Sequence, residues 1–263
     1  MTDASSNDVV SRRDFSRRAL GSVLIYSLLE TVFDRDAFAD EIRPVTARWV
    51  AELDDLCAEV KDGKVEDEQL AQVLWQRKVE ELFARVDLPD LLRLIDFERL
   101  TRGVEPDAKG EKSLRFDFQR VDGVPTKLVF GKQIFALGKG RSVVPHGHNN
   151  MATAFLILAG DLRGRHYDRV EDQPEHIVIK PTVDRGFRAG DCSTVSDYRD
   201  NVHWFTASSE RAYIFNIHVL GVPREGPRLR TGRVYVDPEG EKLAGGLIRA
   251  PRIGWAEVKD KYG

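Results

Sequence analysis

The chain has 263 residues, 41% of them hydrophobic and 32% charged, with a formal net charge of −3. That length suffices for one sizeable β core, alone or with a helical appendage. A near-neutral balance, with no basic stripe beyond the N-terminus, excludes nucleic acid as an expected partner, and no apolar run reaches the length of a bilayer span.

The first segment carries Ser11, Arg12, Arg13, Asp14, Phe15, Ser16, Arg17 and Arg18, then an apolar run over 19–29, then Ala37, Phe38 and Ala39, a small-residue pattern of the kind a signal peptidase accepts. The arginine pair followed by Phe15 resembles a twin-arginine export signal over residues 1–39. That resemblance implies the twin-arginine export machinery as a partner and a periplasmic or secreted location. Glu30, Asp34 and Arg35 interrupt the pattern, so an amphipathic helix on a cytoplasmic protein is the alternative. The two cysteines, Cys57 and Cys192, either close one disulfide in an oxidising compartment or stand as unpaired core residues.

Residues 40–110 read as helical. Leu53, Leu56, Cys57 and Val60 recur at helical spacing and predict a helix that Lys61, Asp62 and Gly63 end. Leu70, Val73, Leu74, Val79, Leu82 and Val86 predict a second, and Pro89 with Leu91, Leu92, Leu94 and Ile95 a short third. These helices are expected to pack on a sheet or on another subunit. From 111 to 263 the texture becomes β. Strands are predicted over 114–118, 127–137, 154–158, 165–167, 176–179, 192–195, 211–220 and 233–236, with Gly, Asp and Pro turns between them, which reads as a sandwich or barrel. The exposed faces of such a barrel, with the helical region, suit a homodimer.

His146 and His148 stand two apart, so on a strand they point to one face about 7 Å from each other, a spacing that suits two ligands of one metal. A third histidine, His203, follows a turn-rich stretch. With Gly140 six positions before His146, and Gly160 after the strand that follows, the arrangement resembles the metal-binding motifs of the cupin superfamily. The resemblance implies a mainly β fold, a double-stranded β-helix or jelly-roll barrel with an N-terminal helical segment. It also implies one divalent metal on His146, His148 and His203. The glutamate of the cupin motif falls here on Thr153, leaving three neutral imidazoles, a set that suits iron, zinc, copper or nickel.

Three-histidine cupins include the thiol dioxygenases, and the stretch over 118–220 is similar to that family in further residues. Gly138, Gly140 and Ser142 lead into His146, and His218 lies fifteen residues after His203. The family's serine and tyrosine beside that histidine fall on Asn216 and Leu220. The family's carboxylate-binding arginine falls on Arg120, 26 residues before His146. The resemblance implies iron(II) chemistry with O2 on a small thiol or similar anionic molecule, with His218 and Arg120 as catalytic groups. Arg120, Arg165, Tyr167 and Thr153 are the candidate substrate contacts. Arg165 and Tyr167 are named because strand alternation puts them on one face and His166 and Asp168 on the other. A zinc-dependent hydrolase or isomerase, and a non-catalytic cupin that binds a metal or small ligand, are the alternatives.

Overall fold

A computed structural model describes residues 44–222 and 231–263; the export-like segment at 1–39 lies outside the described residues. Helix α1 (Pro44–Lys61) buries Val50, Leu53, Cys57 and Val60 along one stripe and gives way to Gly63 at φ 62°. Helix α2 (Glu68–Phe83) starts where the Asp67 side chain accepts a hydrogen bond from the Leu70 amide, and it buries Trp75, Val79, Leu82 and Phe83. Helix α3 (Leu88–Ile95) is capped in the same way by Asp87, with Pro89 in its first turn. It stops at Asp96, which adopts the left-handed conformation and leads into one further turn, α4 (Phe97–Thr101). No helix among the described residues is long and apolar enough to cross a membrane.

The strands are β1 (Lys112–Leu114), β2 (Gly131–Gly138), β3 (Ser142–Asn149), β4 (Met151–Ala159), β5 (Leu162–Asp172), β6 (His176–Phe187), β7 (Cys192–Val195), β8 (Val202–Ala207), β9 (Arg211–Leu220), β10 (Gly232–Tyr235), β11 (Glu241–Lys242) and β12 (Ile248–Pro251), with helix α5 (Trp255–Tyr262) at the end. Strand β2 pairs with β9, β3 with β8, β4 with β7 and β5 with β6, all antiparallel. The chain therefore runs out along four strands and returns along the next four as one ribbon. Folding that ribbon over gives one sheet in the order β1-β2-β9-β4-β7 and another in the order β10-β3-β8-β5-β6-β12-β11. This is the double-stranded β-helix that the histidine motif implied.

The five-stranded sheet is buried on both faces. Ala136, Ala154, Leu156, Phe215 and Ile217 pack against the helices, while Phe135, Phe155, Ile157 and Ile214 face the other sheet. Double burial is why β4 and β9 read as continuous apolar runs rather than alternating ones. Each fully buried Leu, Ile or Phe side chain here contributes about 1.5–3 kcal/mol. The helices thus cover the chain's own sheet, one of the two roles expected of them, and both belong to one compact unit, Ile42–Gly263.

Some boundaries differ from the sequence reading. The strand expected over 114–118 ends at Leu114, and Phe116 and Phe118 instead pack edge to face as irregular chain beside the helical core. The run over 127–137 becomes a strand at Gly131. Cys57 and Cys192 are both free thiols, which answers the disulfide question in favour of unpaired residues.

Candidate metal centre

Strand β3 contains Pro145, which cannot donate to a sheet ladder. The β3–β8 register slips by one residue there, between Val143 and His146. The slip matters because facing alternates along a strand. Val143 points between the sheets and Val144 points out, packing near Val258 and Tyr262. Without the bulge His146 would continue on the outer face. With it, His146 and His148 turn inward, a re-aiming that bulges commonly perform. His203 on β8 lies directly opposite His146 across the ladder.

The three rings converge. Their centroids are 4.2 Å (His146–His203), 4.9 Å (His148–His203) and 5.0 Å (His146–His148) apart. One ring nitrogen from each lies within 4.8 Å of the others. Every Nδ1 is engaged: that of His146 donates to the Val144 carbonyl at 2.7 Å and that of His203 to the Asn201 carbonyl at 3.2 Å. The Nδ1 of His148 is 3.1 Å from the Thr153 hydroxyl oxygen, which accepts from it in the same tautomer. Committing Nδ1–H leaves a lone pair on each Nε2. All three Nε2 atoms are buried and have no protein partner. A buried polar atom left in that state costs about 1–3 kcal/mol, and three of them aimed at one point are what a shared cation would satisfy. The residues present therefore fit a divalent metal.

Charge follows the same logic. Burial, then the charge of neighbouring His203, holds His146 and His148 well below the ordinary imidazole range. Burial, then His166, pushes His203 down to about 3. All three rings are neutral at pH 7, the state that ligates.

The histidines form part of the wall of a cavity of about 970 Å³ between the sheets. Facing them on the five-stranded sheet are rows set by register: Met151 with Leu220, then Thr153 with His218 and Gly131, then Phe155 with Asn216 and Gln133. A Cβ at Gly131 would fall 2.3 Å from His218 Nε2, so the missing side chain is what lets the His218 ring lie there. His218 is lowered from its ordinary value by burial and by Arg233. Asn216 accepts a hydrogen bond from Gln133 at 3.2 Å. Leu220, where the resembled family has a tyrosine, sits at the rim and is 47% exposed.

Three expected substrate contacts lie elsewhere. Arg120 is exposed and lines an adjoining cleft, because the segment after β1 does not continue as a strand toward the histidines. Arg165 points to the outer face of its sheet, with its guanidinium 4.3 Å from the centre of the Trp204 ring. Tyr167 packs in an outer cluster with Ile177, Ile179 and Val202. Alternation on β5 turns His166 inward instead; it is buried behind His203, 6.3 Å between ring centres, with Ser193 Oγ at 3.3 Å. Thr153 does reach the cavity, and its hydroxyl steadies His148.

The sequence reading missed Arg233 and Asn201. Arg233 on β10 is register-paired with His148, lines the cavity, and its charge lowers the proton affinity of all four histidines there. Asn201 binds His148 and, through its own carbonyl, His203. Neither carries a spacing signal, since each reaches the site only through a strand pairing or a loop.

No protein-family model matches the chain, and no curated protein matches it. Among solved structures it is similar to an uncharacterized conserved protein with a double-stranded beta-helix domain from Klebsiella pneumoniae, at 12% identity over 51% of this chain and 90% of that one, with a TM-score of 0.34. It is similar to a cupin superfamily protein from Desulfitobacterium hafniense, at 15% identity over 44% and 82%, TM-score 0.28. It is also similar to recombinant oxalate oxidase in complex with glycolate, at 16% identity, TM-score 0.33, covering 49% of this chain and 56% of the oxidase. The double-stranded β-helix itself is established by the strand order and register of this chain.

Proposed function

We propose that the chain is a metal-dependent oxidoreductase of the thiol dioxygenase type that would hold iron(II) on His146, His148 and His203 and use O2 to oxidise a small thiol to its sulfinate, or to oxygenate a similar anionic molecule. Both atoms of O2 end on sulfur in that reaction. The observation that carries the reading is the trio of buried Nε2 atoms without partners, aimed at one point, with no carboxylate joining the cluster among the described residues. When bound, the metal supplies a positive charge that favours the thiolate and a meeting place for the two reactants.

The chain's own side chains do the rest. Val144, Asn201 and Thr153 hold the three rings by their Nδ1 atoms, fixing tautomer and aim. His218, neutral at pH 7 because burial and Arg233 depress it, offers a ring nitrogen to the proton that leaves the thiol. Phe155 packs against His203 at 5.1 Å between ring centres and gives the cavity an apolar side there. Arg233 takes the anion-binding role first assigned to Arg120. We also assign this work to the periplasm or exterior, on the strength of the twin-arginine-like segment; cell fractionation of a tagged full chain tests that.

The experiment is metal analysis after anaerobic purification, with and without His146→Ala, followed by oxygen uptake with a panel of small thiols. The expected result is about one iron per chain, lost in the variant, and uptake that requires a thiol. Zinc in the site with no uptake on iron reconstitution would favour a hydrolase or isomerase instead. Iron with no turnover on any thiol would favour a binding protein.

A further inference from the structure

The cavity is far larger than a small thiol requires. At about 970 Å³ it lies at the upper end of the range, about 300–1,000 Å³, that buries drug-sized ligands. On the seven-stranded sheet Arg233 stands beside the three histidines, paired in register with His148. The apolar side chains of the lining are Phe116, Leu128, Phe130, Met151 and Leu220, interleaved with Arg115, Asp117, Thr126 and Lys132. The cationic groups of the lining are Arg115, Lys132 and Arg233. Its one acid among the described residues is Asp117, whose side chain is fully exposed and pairs with Lys132 at 3.2 Å. Glu111 lies outside the lining and its carboxylate stands 3.9 Å from Arg233 Nη1, at the long limit of an ion pair. The amides of Gln133 and Asn216 are bound to each other. Among the described residues, the lining beside the histidines thus offers the partly exposed Arg233 for an acidic group and no carboxylate for an ammonium.

Resting on the reading of this cavity as the substrate site, we propose that its ligand is an organic anion with a bulky apolar body and without an amino group, its acidic end held by Arg233 beside the histidines and its body lying along the apolar side chains of the lining. Burying a phenyl-sized body there removes apolar area from water, which favours binding. An ammonium would lose its water without gaining a partner.

The test is titration calorimetry of the full chain as purified, under nitrogen so that no turnover occurs, with 3-phenylpropionate, acetate, phenylalanine and phenethylamine as probes. The expected result is that 3-phenylpropionate binds at least tenfold tighter than each of the other three. Arg233→Gln is expected to weaken it at least tenfold while circular dichroism stays unchanged, with Arg233→Lys between the two. Equal binding of phenethylamine or phenylalanine overturns the charge assignment, equal binding of acetate overturns the apolar body, and unchanged binding in Arg233→Gln overturns the role of that residue. If Arg233→Gln does not fold, Arg233→Lys and the probe series on the unaltered chain decide. Metal content is read by mass spectrometry on the same samples. Bound metal without the phenylpropionate preference overturns this inference alone, and the preference without metal overturns only the metal reading.

Discussion

The Asn201 side chain ties two strands to a loop at the point where the metal centre needs rigidity. Its Oδ1 accepts from the His148 amide at 3.2 Å and from Arg169 Nη1 at 3.2 Å, and its Nδ2 donates to the His148 carbonyl at 2.9 Å and the Ser196 carbonyl at 2.7 Å. The Arg169 side chain is almost wholly buried and also donates to the His148 carbonyl at 3.0 Å. A Cβ at Gly147 would fall 2.6 Å from Asn201 Oδ1, so the glycine between the two ligand histidines is what admits this amide. Asn201→Ala would leave several buried donors and acceptors bare, which costs about 1–3 kcal/mol. It would also release the His148 backbone, and the loss of such a support costs roughly 10–100-fold in metal affinity. Denaturant unfolding and competitive metal titration measure the two effects. A variant that binds metal as tightly as the parent would show that this amide does not position the centre.

At the scale of elements, the helical layer is stability and the β3 bulge is function. Leu53 of α1 is fully buried in the core shared by the helices and the five-stranded sheet. Leu53→Ala should cost about 2–5 kcal/mol through lost contact and the cavity left behind. It should leave metal stoichiometry unchanged, because no ligand lies on that layer. A loss under about 1 kcal/mol in denaturant unfolding would mean that the helices do not share the core of the sheet. The three helices were readable because each buries one stripe at helical spacing, and β9 because both its faces are covered. Strand β8 was not, because its six residues alternate His203 and Phe205 inward with Val202 and Trp204 outward, too brief a pattern to stand out. Helix α5 was missed for a similar reason, since it buries only Val258 and Tyr262. The histidine trio was legible as a spacing, but the turn of His146 into the cavity depends on the slip at Pro145, which alternation alone would have placed wrongly. Arg120 and Arg233 make the complementary lesson. Distance along the chain from a ligand locates a residue only while the chain between is regular, and the stretch that follows β1 is not.

Taken as a whole molecule, the protein keeps five imidazoles neutral inside its barrel, and this sets how the fold responds to acid. Burial is the largest cause of lowering for His146, His148, His166, His203 and His218, with His166 and His203 each brought to about 3. In the unfolded chain the same groups titrate near 6.5. Between those values the unfolded state binds more protons than the folded one, so stability rises with pH through that window and falls as pH drops from about 6.5 toward 3. Each group lowered by one unit contributes about 1.4 kcal/mol to the effect. With chelator present, the melting temperature should be nearly flat from pH 8 to 7 and then fall steeply below about pH 6.5, before the carboxylates begin to titrate. His166→Asn, which removes a buried imidazole that is not a ligand, should make that fall shallower. Adding the metal at pH 7 should raise the melting temperature in proportion to the logarithm of its concentration. The gain should shrink as pH falls, because protons compete for the same Nε2 atoms. A melting temperature that is level between pH 7 and 5 in chelator would mean that these rings are not buried as described. A metal-induced rise that survives unchanged at pH 5 would place the ion on groups other than the three histidines.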